Sequence, residues 1–123
     1  MNIKYDEVDK LLTCQITEEI DHHTTEKMRR MLDDEIERYI PKKIIFDFDK
    51  VSFMDSAGIG MILGRYKMAR LLGGTMEMIN VNSNIKKIFE MSGIPKIIPI
   101  NEKWDVRGEN ICRGRVPPLP NKN

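Results

Sequence analysis

Apolar and polar positions change period several times along the chain, and each change predicts an element. Ile3 and Tyr5 alternate with polar residues, as do Leu12, Cys14 and Ile16, which predicts two short strands joined by a turn at Asp6–Lys10. After the polar stretch Glu18–Thr24, the residues Met28, Met31, Leu32, Ile36 and Tyr39 recur at steps of three and four. That spacing predicts a helix from about Thr24 to Tyr39, which Pro41 stops. Lys43–Phe48 is the clearest strand, with Ile44, Phe46 and Phe48 on one face and Ile45, Asp47 and Asp49 on the other. A second helix is expected over Ala57–Leu72, closed by Gly73-Gly74, and a strand over Thr75–Val81 with Met76, Met78 and Asn80 on one side. Asn82 or Ser83 can cap a short helix carrying Ile85, Ile88 and Phe89, which Gly93 and Pro95 end. Lys96–Ile100 reads as a last short strand.

Strands alternating with helices after residue 43 require parallel pairing through right-handed crossovers, and the opening hairpin adds an antiparallel edge. The expected fold is α/β: a mixed, mostly parallel sheet of four to five strands in one domain. No internal repeat is present. Beyond Trp104 the periodicity ends, and Gly108, Gly114, Pro117, Pro118 and Pro120 predict an irregular or disordered tail over residues 105–123. The domain is expected over residues 1–104. A proline-rich ligand pattern in the tail, Pro117–Lys122, is read as chance.

A length of 123 residues with 41% hydrophobic and 32% charged residues fits one domain with a core large enough to need no disulfide or metal staple. Twenty basic and nineteen acidic residues leave a net charge of +1, which argues against a broad nucleic-acid footprint. Cys14 and Cys112 form no CxxC pair and fit a reducing compartment. No apolar run reaches the ~18 residues of a membrane span, and Met1–Val8 has no signal-peptide character. A membrane role is therefore not expected, and the location expected is cytoplasmic.

Candidate chemistry concentrates in Phe53-Met54-Asp55-Ser56-Ala57-Gly58-Ile59-Gly60, at the carboxyl end of the best strand, where open α/β sheets place their sites. Ser56 can act as a helix N-cap. Alternatively Gly58 and Gly60 let another surface approach this backbone. Gly58, Gly60 and Gly64 do not have the spacing of a dinucleotide or phosphate-loop motif, and Met54 stands where a nucleophile elbow needs glycine. Ser56 as an enzymatic nucleophile would need a base, for which His22 and His23 are the only histidine candidates. The same two histidines are weak metal ligands, and neither catalytic nor metal residues are expected. Along the second helix, Ile59, Ile62, Leu63, Tyr66 and Ala69 form an arc expected to face the sheet. Met61, Met68 and Leu72 lie nearly opposite, beside Gly64, either under a neighbouring helix or as an exposed Met-rich docking face.

The run from Phe53 to Lys67, together with Ile20-Asp21-His22-His23-Thr24 and Ile88-Phe89-Glu90-Met91-Ser92-Gly93, resembles the STAS domain family. More narrowly, it resembles that family's sporulation anti-sigma factor antagonists. The likeness covers about residues 2–104. Ala57 stands where a second serine is common, and the family's usual closing helix has no good counterpart in residues 105–123. The resemblance implies a non-enzymatic regulator of transcription, an anti-anti-sigma factor without cofactor that contacts protein partners and no nucleic acid directly. Ser56 would be phosphorylated by an anti-sigma factor that is also a serine kinase, and a PP2C-type serine phosphatase would restore it. The unphosphorylated form would bind the anti-sigma factor and release the sporulation sigma factor. The partner surface expected comprises Asp21, His22, His23, Met54, Asp55, Ser56, Ala57, Gly58, Gly60, Met61, Gly64 and Met68. A nucleotide-binding STAS module is the alternative.

Overall fold

The computed structural model of the chain describes residues 1–101. Five strands, β1 (Asn2–Asp6), β2 (Leu11–Gln15), β3 (Lys43–Asp47), β4 (Thr75–Ile79) and β5 (Ile100–Asn101), stand side by side in chain order. The helices α1 (Thr25–Tyr39), α2 (Ser56–Leu71) and α3 (Ser83–Ser92) fill the three crossovers. β1 and β2 form the antiparallel hairpin, and every later pairing is parallel.

Because each crossover steps one strand in the same direction, right-handed connections place all three helices on one face of the sheet. Register aligns Leu12, Ile44 and Met76 across the sheet, and Cys14, Phe46 and Met78 beside them. These six are buried with Met28, Leu32 and Ile36 of α1, Met61, Ile62 and Ala69 of α2, and Ile85 and Phe89 of α3 in one core. Burial pushes the Cys14 thiol up to about 12, with Glu35 adding to the shift. A thiol so protonated is an inert core side chain. The opposite face carries Thr13, Ile45 and Glu77 in one row and Gln15, Asp47 and Ile79 in the next. There Lys43 Nζ sits 3.1 Å from Glu77 Oε1, and Asn101 also donates to Glu77.

Two sequence expectations change here. Lys96–Ile100 is not a continuous strand: Ile94–Lys96 forms a 3₁₀ turn and β5 is confined to Ile100–Asn101. Gly93, at φ 81°, closes α3, and the chain then turns so that Ile94 and Ile98 both enter the core one helical turn apart. The Ile98 N–H bonds the Ile94 carbonyl at 2.9 Å, so the apolar run Ile97-Ile98 follows a helical spacing. Asn80 does not extend the Met76–Met78 face, because it lies beyond β4 with φ 59°. The expectations for residues 105–123 lie outside the described residues.

The second helix is turned relative to the expected arc. Its buried positions are Gly58, Met61, Ile62, Arg65 and Ala69, while Ile59, Leu63 and Tyr66 are only half-buried. α2 is apolar almost all round, and periodicity cannot choose a face on such a helix. The choice is made by α1, which packs alongside and sends Asp33 Oδ1 to within 2.8 Å of Arg65 Nε. Burial lowers the Arg65 pKa, Asp33 opposes that, and Arg29 adds to it. Met61 is therefore core, 4% exposed, and Met68 is half-buried against the core. The Met-rich docking face is corrected at Met61, which is core; Met68 is half-buried and Leu72 stays 40% exposed.

Candidate functional site

The loops leaving β2 and β3 meet at the carboxyl ends of those strands, because parallel neighbours bring the two ends together. Ile20 and Met54 pair as an isolated parallel bridge. The Ile20 N–H bonds the Phe53 carbonyl at 3.3 Å, and the Asp55 N–H bonds the Ile20 carbonyl at 3.1 Å. This short extension of the sheet fixes where α2 begins.

Asp55, not Ser56, is the N-cap of α2. Its backbone is extended and its Oδ1 accepts the Ala57 N–H at 2.9 Å. Its Oδ2 accepts the His22 N–H at 3.3 Å and lies 3.7 Å from His22 Nδ1. With the cap supplied by its neighbour, the Ser56 hydroxyl is freed from that role. Ser56 is exposed as the first residue of the helix, and among the described residues its hydroxyl makes no hydrogen bond. Ala57, Gly58 and Ile59 complete a first turn without acidic side chains, where backbone N–H groups and the helix dipole favour an anion.

The other loop is built around Asp21. Its Oδ1 accepts the His23 N–H at 2.8 Å and the Thr24 N–H at 3.1 Å. The His23 N–H bond lowers the Asp21 pKa below its ordinary 3.8, partly offset by desolvation and helped further by Thr24 and His23. A carboxylate with a lowered value supports the loop fully above about pH 4, and that support is lost as pH falls through the lowered value. The His23 and Thr24 amide resonances should accordingly titrate with a midpoint below 3.8; a midpoint at or above it would mean the turn is not formed. His22 and His23 are exposed, their ring centroids 3.9 Å apart.

The sequence-derived surface divides in two. Asp21, His22, His23, Asp55, Ser56, Ala57 and Gly60 come together at this end of the sheet, exposed or half-buried, and a Cβ on Gly60 would meet nothing within 4 Å. Gly64 is equally open, on the outer side of α2. Met54, Gly58 and Met61 are buried. The close approach at Gly58 is internal: a Cβ there would stand 2.4 Å from Met54 Cγ, 2.7 Å from Met54 Sδ and 2.8 Å from Ile20 Cγ2. Met54 and Gly58 therefore shape the site from beneath. Gly58→Ala should cost about 1–3 kcal/mol by overpacking, read from the denaturant midpoint. A wild-type midpoint would mean that α2 does not start against the bridge.

Three residues of this end, Glu19, Ser52 and Phe53, stand outside the partner surface read from the sequence. Glu19 accepts the Ser52 hydroxyl and the Phe53 N–H, and Phe53 is exposed beside the site. The pairing spans two loops far apart in sequence, so no local pattern announces it.

The chain matches the STAS domain model over residues 2–105. It is 39% identical over 90 residues to the anti-sigma F factor antagonist of Paenibacillus polymyxa, covering 73% of this chain and 77% of that one. The solved structure of the anti-sigma factor antagonist SpoIIAA in its unphosphorylated form superposes with a TM-score of 0.68 at 27% identity, covering 80% of this chain and 87% of that one. The phosphorylated form of the Bacillus cell fate determinant SpoIIAA gives 0.61 at 27% identity, covering 80% and 90%. No helix among the described residues is long and apolar enough to cross a membrane. Fold, the Asp55–Ser56 turn and these matches lead to one conclusion: the chain belongs to the STAS domain family.

Proposed function

We propose that the chain acts as an anti-sigma factor antagonist whose partner binding is switched at Ser56. In the unphosphorylated state the surface around Asp21, His22, His23, Asp55, Ser56, Ala57 and Gly60 docks an anti-sigma factor, which then releases its sigma factor. Phosphotransfer chemistry belongs to the partners: a serine kinase activity of the anti-sigma factor adds the phosphate and a PP2C-type phosphatase removes it. The chain is substrate and ligand, working in the cytoplasm, and sporulation is the setting in which its relatives would place it.

The observation that carries this reading is the state of Ser56: an exposed hydroxyl opening a helix, left without a hydrogen bond among the described residues because Asp55 caps in its place. A hydroxyl needed for capping would be withdrawn from a kinase; this one is presented. Intact-mass spectrometry after mixing with the cognate anti-sigma factor and ATP tests it. One phosphate, mapped to Ser56 and lost in Ser56→Ala, is the expected result. A phosphate on Thr24, Thr25 or Ser52 with Ser56 unmodified would refute the site.

A further inference from the structure

Glu19 lies in the loop after β2 and belongs to no part of the surface read from the sequence. Its Oε2 accepts the Ser52 hydroxyl at 2.7 Å and its Oε1 accepts the Phe53 N–H at 2.8 Å. Its own carbonyl accepts the Thr24 hydroxyl at 2.8 Å, which ties this loop to the start of α1. Glu19 and Asp55 are reciprocal. Each loop sends a carboxylate to an N–H of the other, on either side of the Ile20–Met54 bridge.

This clasp decides what the site presents. Met54 points inward and is 1% exposed, so its extended neighbour Phe53 turns outward and is 54% exposed. Aromatic side chains held on a rigid backbone are favoured interface anchors, because little conformational freedom is lost when a partner closes on them. Carboxylates of Glu19, Asp21 and Asp55 are bonded into the two loops that carry this position, so the complementary partner surface is an apolar pocket with a basic rim.

We propose that Glu19 is a positioning residue for docking: it holds the Ser52-Phe53 segment so that Phe53 stands beside Ser56 as the apolar anchor gripped by the anti-sigma factor. This rests on the antagonist reading given above. Glu19 touches no reacting atom and acts through the backbone it holds.

Two measurements on Glu19→Ala, Glu19→Gln and Phe53→Ala test the proposal. In the free protein, amide hydrogen exchange at Phe53 should quicken roughly tenfold or more in Glu19→Ala, which removes the acceptor. Glu19→Gln retains a carbonyl oxygen and should keep most of the protection. Affinity for the anti-sigma factor should fall by roughly tenfold or more in Glu19→Ala and Phe53→Ala, a change of about 1.4 kcal/mol, with the melting temperature unchanged. Glu19→Gln should bind nearly as wild type. Unchanged exchange in Glu19→Ala would overturn the clasp. Faster exchange with undiminished binding, or full binding by Phe53→Ala, would overturn the docking role. Failure of the wild type to bind an anti-sigma factor would overturn the antagonist reading and the docking role with it. The exchange result, obtained without a partner, tells that failure apart from a failure of the clasp.

Discussion

Phosphorylation of Ser56 should lower affinity for the anti-sigma factor by roughly 100-fold or more while leaving the domain folded. A phosphate adds about −1.5 to −2 charge at pH 7. Its local accommodation is straightforward, because it would sit at the N-terminus of a sixteen-residue helix whose first turn carries only small or apolar side chains after Ser56. Its effect on a partner is the opposite. Asp55 adjoins it in sequence, and Asp21 and Glu19 are bonded into the two loops that frame it. Closed under the partner's apolar pocket, the dianion would lose its water, which costs several kcal/mol, and each 1.4 kcal/mol is about tenfold. Ser56→Asp should reproduce the loss in part, and Ser56→Ala should bind without being released by kinase and ATP. Titration calorimetry of the three forms, with circular dichroism and melting curves alongside, checks this. Undiminished binding by the phosphorylated form, or a large structural change on phosphorylation, would refute the electrostatic switch.

Met61→Lys should destabilise the domain by at least about 3 kcal/mol, because truncating a buried methionine alone costs about 2–5 kcal/mol and an unpaired ammonium adds to it. Arg65 Nη1 already donates to the Met61 carbonyl at 3.4 Å, and Asp33 is engaged with the Arg65 guanidinium. Set against a total stability of about 5–15 kcal/mol, such a loss lowers the melting temperature by roughly 10–20 °C. Met68→Lys, at a half-buried position, should cost about 1 kcal/mol or less. Equal melting of Met61→Lys and wild type would show that α1 does not cover this flank of α2. The pair also separates stability from docking, since a partner effect of Met68→Lys would come without unfolding.

Much of the fold was legible because its signals are local. The alternation of Ile44, Phe46 and Phe48, the three-and-four spacing of Met28, Leu32 and Ile36, and the Asn82 and Gly73 boundaries each act within a few residues of themselves. The strand order follows from them, given that parallel neighbours need right-handed crossovers. The place of Ser56 at a strand-to-helix turn was legible for the same reason. The identity of the cap was not: Asp55 and Ser56 are both good capping residues, and the choice depends on the backbone conformation that the Ile20–Met54 bridge imposes.

The residues alone thus determined the element types and their order as far as α3, the single core and the serine at the head of α2. Tertiary structure alone decided which side of α2 is buried, because a helix apolar on nearly every side takes its orientation from what packs on it, here α1 and the Asp33–Arg65 pair. It alone decided that Met54 and Gly58 support the site from below while Phe53 stands out from it. It alone joined Glu19 to Ser52 and Phe53, and Asp55 to His22. Those pairs bridge two loops that lie far apart in sequence and meet only once β2 and β3 pair in parallel. Periodicity and capping carry information over one or two turns of chain, and a contact made by strand pairing leaves no trace at that range.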